Sequence, residues 1–438
     1  MLRRKISDTI REYLQSDYDR IMIVEGARQV GKSFIIREIG KELFKNFIEI
    51  NLAEDKNGRQ EYETVRTSDD LYLRLSIYHG DKMGNKNDTL IFLDEIQEYP
   101  HLITMLKFLN EEQKFRFIAS GSLLGVTLNN VVSIPVGSIR IVDMYPLNFI
   151  EFLWANGFND YAIEVIKERL SQLQSLDKNI HLRIMDLWKK YLIVGGLPAV
   201  VNSFISNRNY THVRDIQRDI VRLYAADASK YDKEHRLKIQ RIYNLIPSNM
   251  ENKKKRMVAR DIAEKENARF ADYVDEFEYL ISSGIALDVK AVTNPKFPLA
   301  ESVTKNLLKL YMNDPGLLTC VLFEDAVRAI LDDARSINLG SIYETAVAAQ
   351  LKANGANLFY YDNKKKGEVD FLINDFANQT VLPIEVKSGK DYKIHSAISR
   401  LLNEKEYNIE RGMVLANIEA PYRKDKIQYF PVYYSMFL

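Results

Sequence analysis

Apolar residues in the first third of the chain fall into short uninterrupted runs. Between them lie stretches in which apolar positions recur every three or four residues, the pattern of buried parallel strands alternating with helices. Ile21-Met22-Ile23-Val24 is the first run, and Ser33 to Leu43 has helical spacing after it. Asn46 to Asn51, with Phe47-Ile48-Glu49-Ile50, reads as a second strand. Thr89-Leu90-Ile91-Phe92-Leu93 is a third and ends in Asp94-Glu95. Lys114 to Ala119 predicts a strand ending in Ser120-Gly121-Ser122, and Ser138 to Val142 another. Ahead of them, residues 5–17 place Ile6, Ile10 and Leu14 at four-residue spacing, an amphipathic helix.

The middle of the chain reads as helical. Residues 151–230 carry long charged segments such as Ile163 to Asp177 and Ile184 to Val194. Residues 233–292 give three helical patterns, Leu237 to Leu245, Met257 to Lys265 and Tyr273 to Ser282, then the β-like tail Gly284 to Val289. The C-terminal part turns mixed: a helix over Ser341 to Leu351, a strand over Gly367 to Ile373, and Val381 to Ser388. In the last, Leu382, Ile384 and Val386 alternate with Glu385 and Lys387, predicting one apolar and one polar face.

At 438 residues the chain exceeds one ordinary core, and 46% hydrophobic with 28% charged residues is the balance of a folded protein. No apolar run approaches membrane-spanning length, and Met1-Leu2-Arg3-Arg4 leads into a polar helix, so a cytoplasmic location without a membrane partner is expected. The single cysteine, Cys320, excludes an internal disulfide or a cysteine zinc site and reads as a small buried residue. A net charge of +1 supplies no global pull toward nucleic acid, so any such contact requires a local patch. The 25 tyrosines and 20 phenylalanines are dispersed, which favours packing over a base-stacking platform. The six histidines lack metal-ligand spacing.

The loop Gly26-Ala27-Arg28-Gln29-Val30-Gly31-Lys32-Ser33 fits G-x-x-x-x-G-K-[ST] in the required context of strand, loop and helix start. Glycines let backbone N–H groups approach a polyphosphate at a helix N-terminus whose dipole favours anions. With Phe34, these residues form the expected ATP cradle; Lys32 would reach the β- and γ-phosphates and the Ser33 hydroxyl would hold Mg²⁺. A buried strand ending in two acids delivers Asp94 to the same metal and Glu95 to the attacking water. Ser120 is either a γ-phosphate or water contact or a helix cap. Arg140, expected near the same sheet edge, is either an arginine finger for a neighbouring subunit of a homo-oligomer or a surface arginine.

A second constellation lies beyond residue 340. Glu344 sits on the apolar face of its helix, with Val347, Ala348 and Leu351 three, four and seven residues on, a placement that calls for a partner. Glu385 and Lys387, two apart on one strand face, lie side by side, and Asp370 joins them from the paired strand. Two carboxylates with the Val386 carbonyl supply hard oxygens for Mg²⁺, and Lys387 can orient or help deprotonate a water for attack on a phosphodiester.

GARQVGKS, LIFLDEIQ and IASGS, with MYPLNFIEFL (Met144 to Leu153) and VGGLPAVV (Val194 to Val201), resemble a family of bacterial and archaeal AAA+-type ATPases with a C-terminal restriction-endonuclease-like domain. The resemblance implies an α/β P-loop parallel sheet over 1–155 and a helical lid over 156–230. A winged-helix-like domain over 231–300 and a PD-(D/E)xK nuclease-like α/β domain over 301–438 would follow. It gives Pro198 of Gly196-Leu197-Pro198 the role of packing on adenine. It also places Asp370, Glu385 and Lys387 in the three signature positions, with Glu344 as the helix acid and metal ligand; Val369 stands where the signature has proline. Lys253-Lys254-Lys255-Arg256 would contact phosphates or belong to a solvated loop. Three functions remain open on this reading. One is an ATP-driven machine acting on nucleic acid, DNA before RNA, or on a partner protein. The others are a STAND-type switch with a non-cleaving C-terminal module and an ATP-regulated, Mg²⁺-dependent nuclease.

Overall fold

The computed structural model describes residues 2–17, 19–122, 137–227, 233–252, 255–263, 268–332, 337–363, 366–389 and 392–438. The chain divides into two compact units, Arg3–Tyr145 with Ser282–Gly284, and Pro146–Ile281 with Ile285–Leu438.

The first unit is built on five parallel strands, β1 (Ile21–Glu25), β2 (Asn46–Asn51), β3 (Thr89–Asp94), β4 (Arg116–Gly121) and β5 (Ile139–Asp143), in the order β2-β3-β4-β1-β5. The central strands β3 and β4 are buried along their whole length, which is why they read as continuous apolar runs. Strand β4 begins two residues later than its apolar run suggests and takes Ser120 and Gly121 into the ladder. Asp94 closes β3, as expected.

Arg140 departs from expectation. β5 pairs with β1 in parallel, Arg140 opposite Met22 and Asp143 opposite Glu25. Arg140 therefore stands three residues short of the carboxyl edge, roughly 10 Å along the strand. A length of apolar strand does not say which end holds the ligand; the register does.

The helix Ile6–Gln15 buries Ile10, Tyr13 and Leu14. Tyr13 donates its hydroxyl to the Phe117 carbonyl at 2.7 Å. Just before the helix, the buried Arg4 guanidinium donates to the carbonyls of Val30 at 2.9 Å and Tyr145 at 2.6 Å. The helix Lys32–Leu43 starts directly after Gly31 and buries Ile35, Ile36 and Ile39.

The second unit opens with helices Phe149–Ala155, Asp160–Ser171, Lys178–Val194, Pro198–Asn207 and Tyr210–Asp227. Their aromatic core includes Phe149 edge-on to Trp188 at 5.0 Å and Phe152 against Tyr191 at 5.4 Å. The Phe149 N–H donates to Gln350 Oε1 at 2.7 Å, tying this core to the helix Gly340–Ala353 that carries Glu344.

Helices Lys233–Glu251, Ala259–Ala263 and Val274–Ser282 follow, near the expected positions; Glu264 and Lys265, the end of the second expected helix, lie outside the described residues. An eight-stranded mixed sheet completes the unit. Its strands are β6 (Ala286–Val292), β7 (Val303–Met312), β8 (Phe359–Asn363), β9 (Gly367–Asp375), β10 (Thr380–Lys387), β11 (Gly412–Ala416), β12 (Tyr422–Lys424) and β13 (Ile427–Pro431). Their order is β12-β13-β11-β10-β9-β8-β6-β7.

The expected division at residues 300 and 301 falls between β6 and β7, which are paired antiparallel, while β6 also pairs in parallel with β8. β6 is buried at every position but Lys290, so it needs neighbours on both edges and both faces, which a detached tail would lack. The clean alternation expected of β10 is also replaced by burial from Thr380 to Val386. Between β9 and β11, this strand hides Glu385 together with its apolar neighbours. No helix among the described residues is long and apolar enough to cross a membrane.

Candidate functional site

The sheet order explains how the first unit assembles a site. β4 lies between β1 and β3, with Ser120 level with Val24 and Ala119 level with Leu93. The loop after β1, the acid at the end of β3 and the hydroxyl on β4 therefore meet at one edge. Asp94 Oδ1 accepts from Ser33 Oγ at 3.0 Å, from the Glu95 N–H at 3.1 Å and from the Ser120 hydroxyl. Burial raises the Asp94 carboxyl above its ordinary range, and the two serine hydroxyls counter that by favouring the ion.

The cradle depends on backbone geometry. Gly26 has φ 154° and Gly31 φ 95°, and a Cβ on Gly26 would stand 2.1 Å from the Met144 carbonyl oxygen. Gln29, also with positive φ, completes the loop. Lys32, 5% exposed, donates to the carbonyls of Gly26 at 2.8 Å and Ala27 at 3.0 Å. Burial lowers its pKa, while Glu95 and Asp94 support its charge. Val30 and Ala27 are buried, whereas Phe34 is half exposed.

Glu95 takes a left-handed backbone conformation, φ 55° and ψ 48°, an uncommon choice for a residue with a side chain. Its Oε2 accepts from Ser122 Oγ at 2.9 Å and from the Gln97 amide. Sequence reasoning singled out neither Arg4, which clasps the cradle through Val30, nor Gln97. Gln97 lies two residues after the acid pair, the one local signal that would have found it.

Pro198, given an adenine role by resemblance, stands in the second unit as the first residue of its helix. The turn before it is fixed: Gly196 N–H donates to Asp314 Oδ2 at 2.6 Å, and Leu317 N–H donates to Asp314 Oδ1 at 3.0 Å. Burial pushes the Asp314 carboxyl up to about 6 against these hydrogen bonds. Nothing in the sequence marked Asp314.

The C-terminal acids occupy one region of the eight-stranded sheet. Lys387 Nζ lies 2.8 Å from Glu385 Oε1, and Asp370 Oδ2 accepts the Val386 N–H at 2.8 Å. Glu385 Oε2 is buried and lacks a hydrogen-bond partner among the described residues. Burial, then the charge of Asp370, pushes the Glu385 carboxyl up, and Lys387 offsets only part of this. Burial also opposes the Lys387 charge, yet Glu385, Asp370 and Glu344 hold that ammonium above its ordinary range.

Glu344 is partnered differently from expectation. Its Oε1 meets Lys255 Nζ, and its Oε2 accepts from the Tyr311 hydroxyl at 3.2 Å. Lys255 is therefore not part of a solvated loop; Lys253 and Lys254 lie outside the described residues. Buried Lys309 pairs with Glu368 and lies over the Tyr360 ring at 4.5 Å. Among the described residues no three histidine, cysteine, aspartate or glutamate side chains form a metal cage. The fit to a cation rests instead on the unpartnered Glu385 oxygen, Asp370 and backbone carbonyl oxygen, a hard donor set suited to Mg²⁺.

Residues 18–153 match the family model of an AAA domain. Residues 185–327 and 339–434 match two domains of unknown function, DUF8612 and DUF4143. Among curated proteins none matches the chain. Solved structures with a similar course include the Walker-type ATPase PABY2304 of Pyrococcus abyssi, 12% identical, covering 73% of this chain and 95% of that one, with a TM-score of 0.45. The Orc1 protein of Aeropyrum pernix in complex with DNA is 13% identical over 76% of this chain and 91% of its own, TM-score 0.29. The Thermotoga maritima RuvB Holliday junction branch migration motor is 14% identical over 65% and 89%, TM-score 0.29.

With the motif geometry above, the AAA match makes residues 18–153 a P-loop ATPase domain of the AAA type, a class that binds ATP and ordinarily uses Mg²⁺.

Proposed function

We propose that the chain hydrolyses Mg-ATP in its first unit and that the nucleotide state controls a second unit acting on nucleic acid, DNA foremost, by Mg²⁺-dependent phosphodiester hydrolysis. The observation carrying the ATPase part is the convergence of Ser33 and Ser120 on Asp94 beside a fixed Glu95. Lys32 would exchange its contacts with the Gly26 and Ala27 carbonyls for the β- and γ-phosphates, and Ser33 with Asp94 would hold the metal. Bound Mg²⁺ supplies charge neutralisation on the phosphate oxygens. Glu95, kept in place by Ser122 and Gln97, aligns the attacking water, and Ser120 steadies Asp94.

In the second unit, Asp370 and Glu385 would hold Mg²⁺ with the Val386 carbonyl, and the ion would supply an activated water there. Lys387, anchored by Glu385, orients the nucleophile. Glu344 holds Lys255 and Tyr311 in place around the two acids rather than joining them.

The element order from Lys233 to Met312 supports a winged-helix reading. Three helices precede a two-stranded wing, and the segment after the first helix bridges the wing, Arg256 to Lys309, with Met257 N–H donating to the Leu308 carbonyl at 2.8 Å. The exposed face of the third helix carries Asp275 and Glu278. Those charges repel a phosphate backbone, so this helix faces a protein surface rather than a major groove.

A second reading, a nucleotide switch with a non-cleaving module, is favoured by the engagement of both Glu344 oxygens. One pair of assays separates them. Phosphate release from ATP should be abolished by Lys32→Ala, and DNA incubated with Mg²⁺ or Mn²⁺ should be cut by the full chain but not by Asp370→Asn. ATP turnover without metal-dependent product would overturn the nuclease part; tight nucleotide retention without Lys32-dependent turnover would select the switch and overturn the ATPase proposal.

A further inference from the structure

Three of the tyrosines scattered in the sequence meet near the C-terminus. A cavity of about 480 Å³ in the second unit is lined by Tyr392, His395, Tyr422 and Tyr429, with Lys393 and Lys424 at its rim. Tyr422 stacks on Tyr429, centroids 4.4 Å apart and planes 7° from parallel. Tyr392 stands edge-on to Tyr429 at 6.3 Å and 72°. His395 Nε2 lies 2.5 Å from the Tyr429 hydroxyl, which fixes both rings. Tyr392 and Tyr422 are only half-buried, while Lys393 and Lys424 are exposed. These two lysines make no ion pair among the described residues; one carboxylate, Asp425, shares the rim.

The sheet register places this cavity beside the acids. Tyr429 is level with Val414, and Val414 with Glu385, so two ladders separate Tyr429 from Glu385, about 10 Å. Along the chain, Tyr392 follows Lys387 by five positions, a span of at most about 17 Å.

We propose that this cavity binds an unpaired nucleobase of a single-stranded nucleic acid whose backbone runs past Asp370, Glu385 and Lys387. This rests on the reading of the second unit as acting on nucleic acid. Flat π faces in parallel and edge arrangement accept a base of any identity, and the exposed ammonium groups meet its flanking phosphates. A stacked duplex offers no free base face to such a pocket, so the site selects unpaired strands or frayed ends. Burial lowers the His395 pKa, so the imidazole is neutral near pH 7 and orients the rings without adding charge.

The test is fluorescence anisotropy with a short fluorescein-labelled oligodeoxynucleotide, single-stranded or annealed to its complement, titrated with the full chain in an Asp370→Asn background. Tyr392→Ala and Tyr422→Ala should weaken single-strand binding by roughly five- to 150-fold each and leave duplex binding within about twofold. Tyr422→Trp should restore it, and Lys424→Glu should weaken it most at low salt. The denaturant unfolding profile of each variant, superimposed on that of the parent, reports intact folding. If the single strand binds and none of these variants weakens it, or if duplex binding falls equally, the pocket is not a base site while the nucleic-acid reading stands. If neither oligonucleotide binds, that reading falls and the pocket assignment with it.

Discussion

Ser33 donates its hydroxyl to Asp94 Oδ1 over 3.0 Å, and that one oxygen also receives Ser120 and the Glu95 N–H. A single carboxylate atom thereby joins the phosphate loop, β3 and β4.

Asp94→Asn keeps the shape and an acceptor but removes the charge that supports a divalent cation. The Mg²⁺ concentration for half-maximal ATP hydrolysis should rise by about 10–100-fold. A magnesium titration of phosphate release measures it, and an unchanged midpoint would remove Asp94 from the metal site.

Glu95→Gln preserves the contacts with Ser122 and Gln97 but abolishes a base beside the water. Turnover should fall by about 10²–10⁴-fold while nucleotide affinity stays near that of the parent. Equilibrium binding of a fluorescent ATP analogue, set against steady-state turnover, separates the two effects.

Gly26→Ala brings a methyl to 2.1 Å from a backbone oxygen at φ 154°. Because backbone cannot yield as a side-chain tip does, the cost should be about 1–3 kcal/mol of first-unit stability, with loss of ATP binding. Urea unfolding monitored with and without ATP checks both.

Asp314 supplies the pH dependence. Its carboxyl is raised from an ordinary value to about 6 in the folded unit. Below about pH 4 it is protonated folded or unfolded; between about 4 and 6 only the unfolded chain has released the proton, so stability falls as pH rises through this window and then levels off. Asp314→Asn should flatten that slope. It should also cost about 1–3 kcal/mol at pH 7, because an amide nitrogen cannot accept the N–H of Gly196 or Leu317. Denaturant midpoints across pH 4–7 for the two proteins give the answer.

The phosphate loop, Asp94 and Glu95 were legible because their chemistry is contiguous and their strands are buried on both faces, leaving an unmixed apolar signal. Arg140 misled because its edge position is a property of register with β1. The strand β6 was readable as a strand but not as a neighbour of β8, since 66 residues separate Val292 from Phe359 and no local pattern encodes that pairing. Lys255, Lys309 and Tyr311 meet Glu344 and Glu368 from other elements, and only the folded sheet reveals that the isolated acid on an apolar helix face has the partners it required.

The continuous sheet of the second unit also sets its mechanics. From β7, at the end of the helical module, to β9, where Asp370 resides, the path crosses three hydrogen-bonded ladders and no flexible joint. A torque applied to β7 is therefore delivered to the acids as sheet twist, in the manner of a stiff lever. A module swinging freely on a linker would have to break the β6 ladders first.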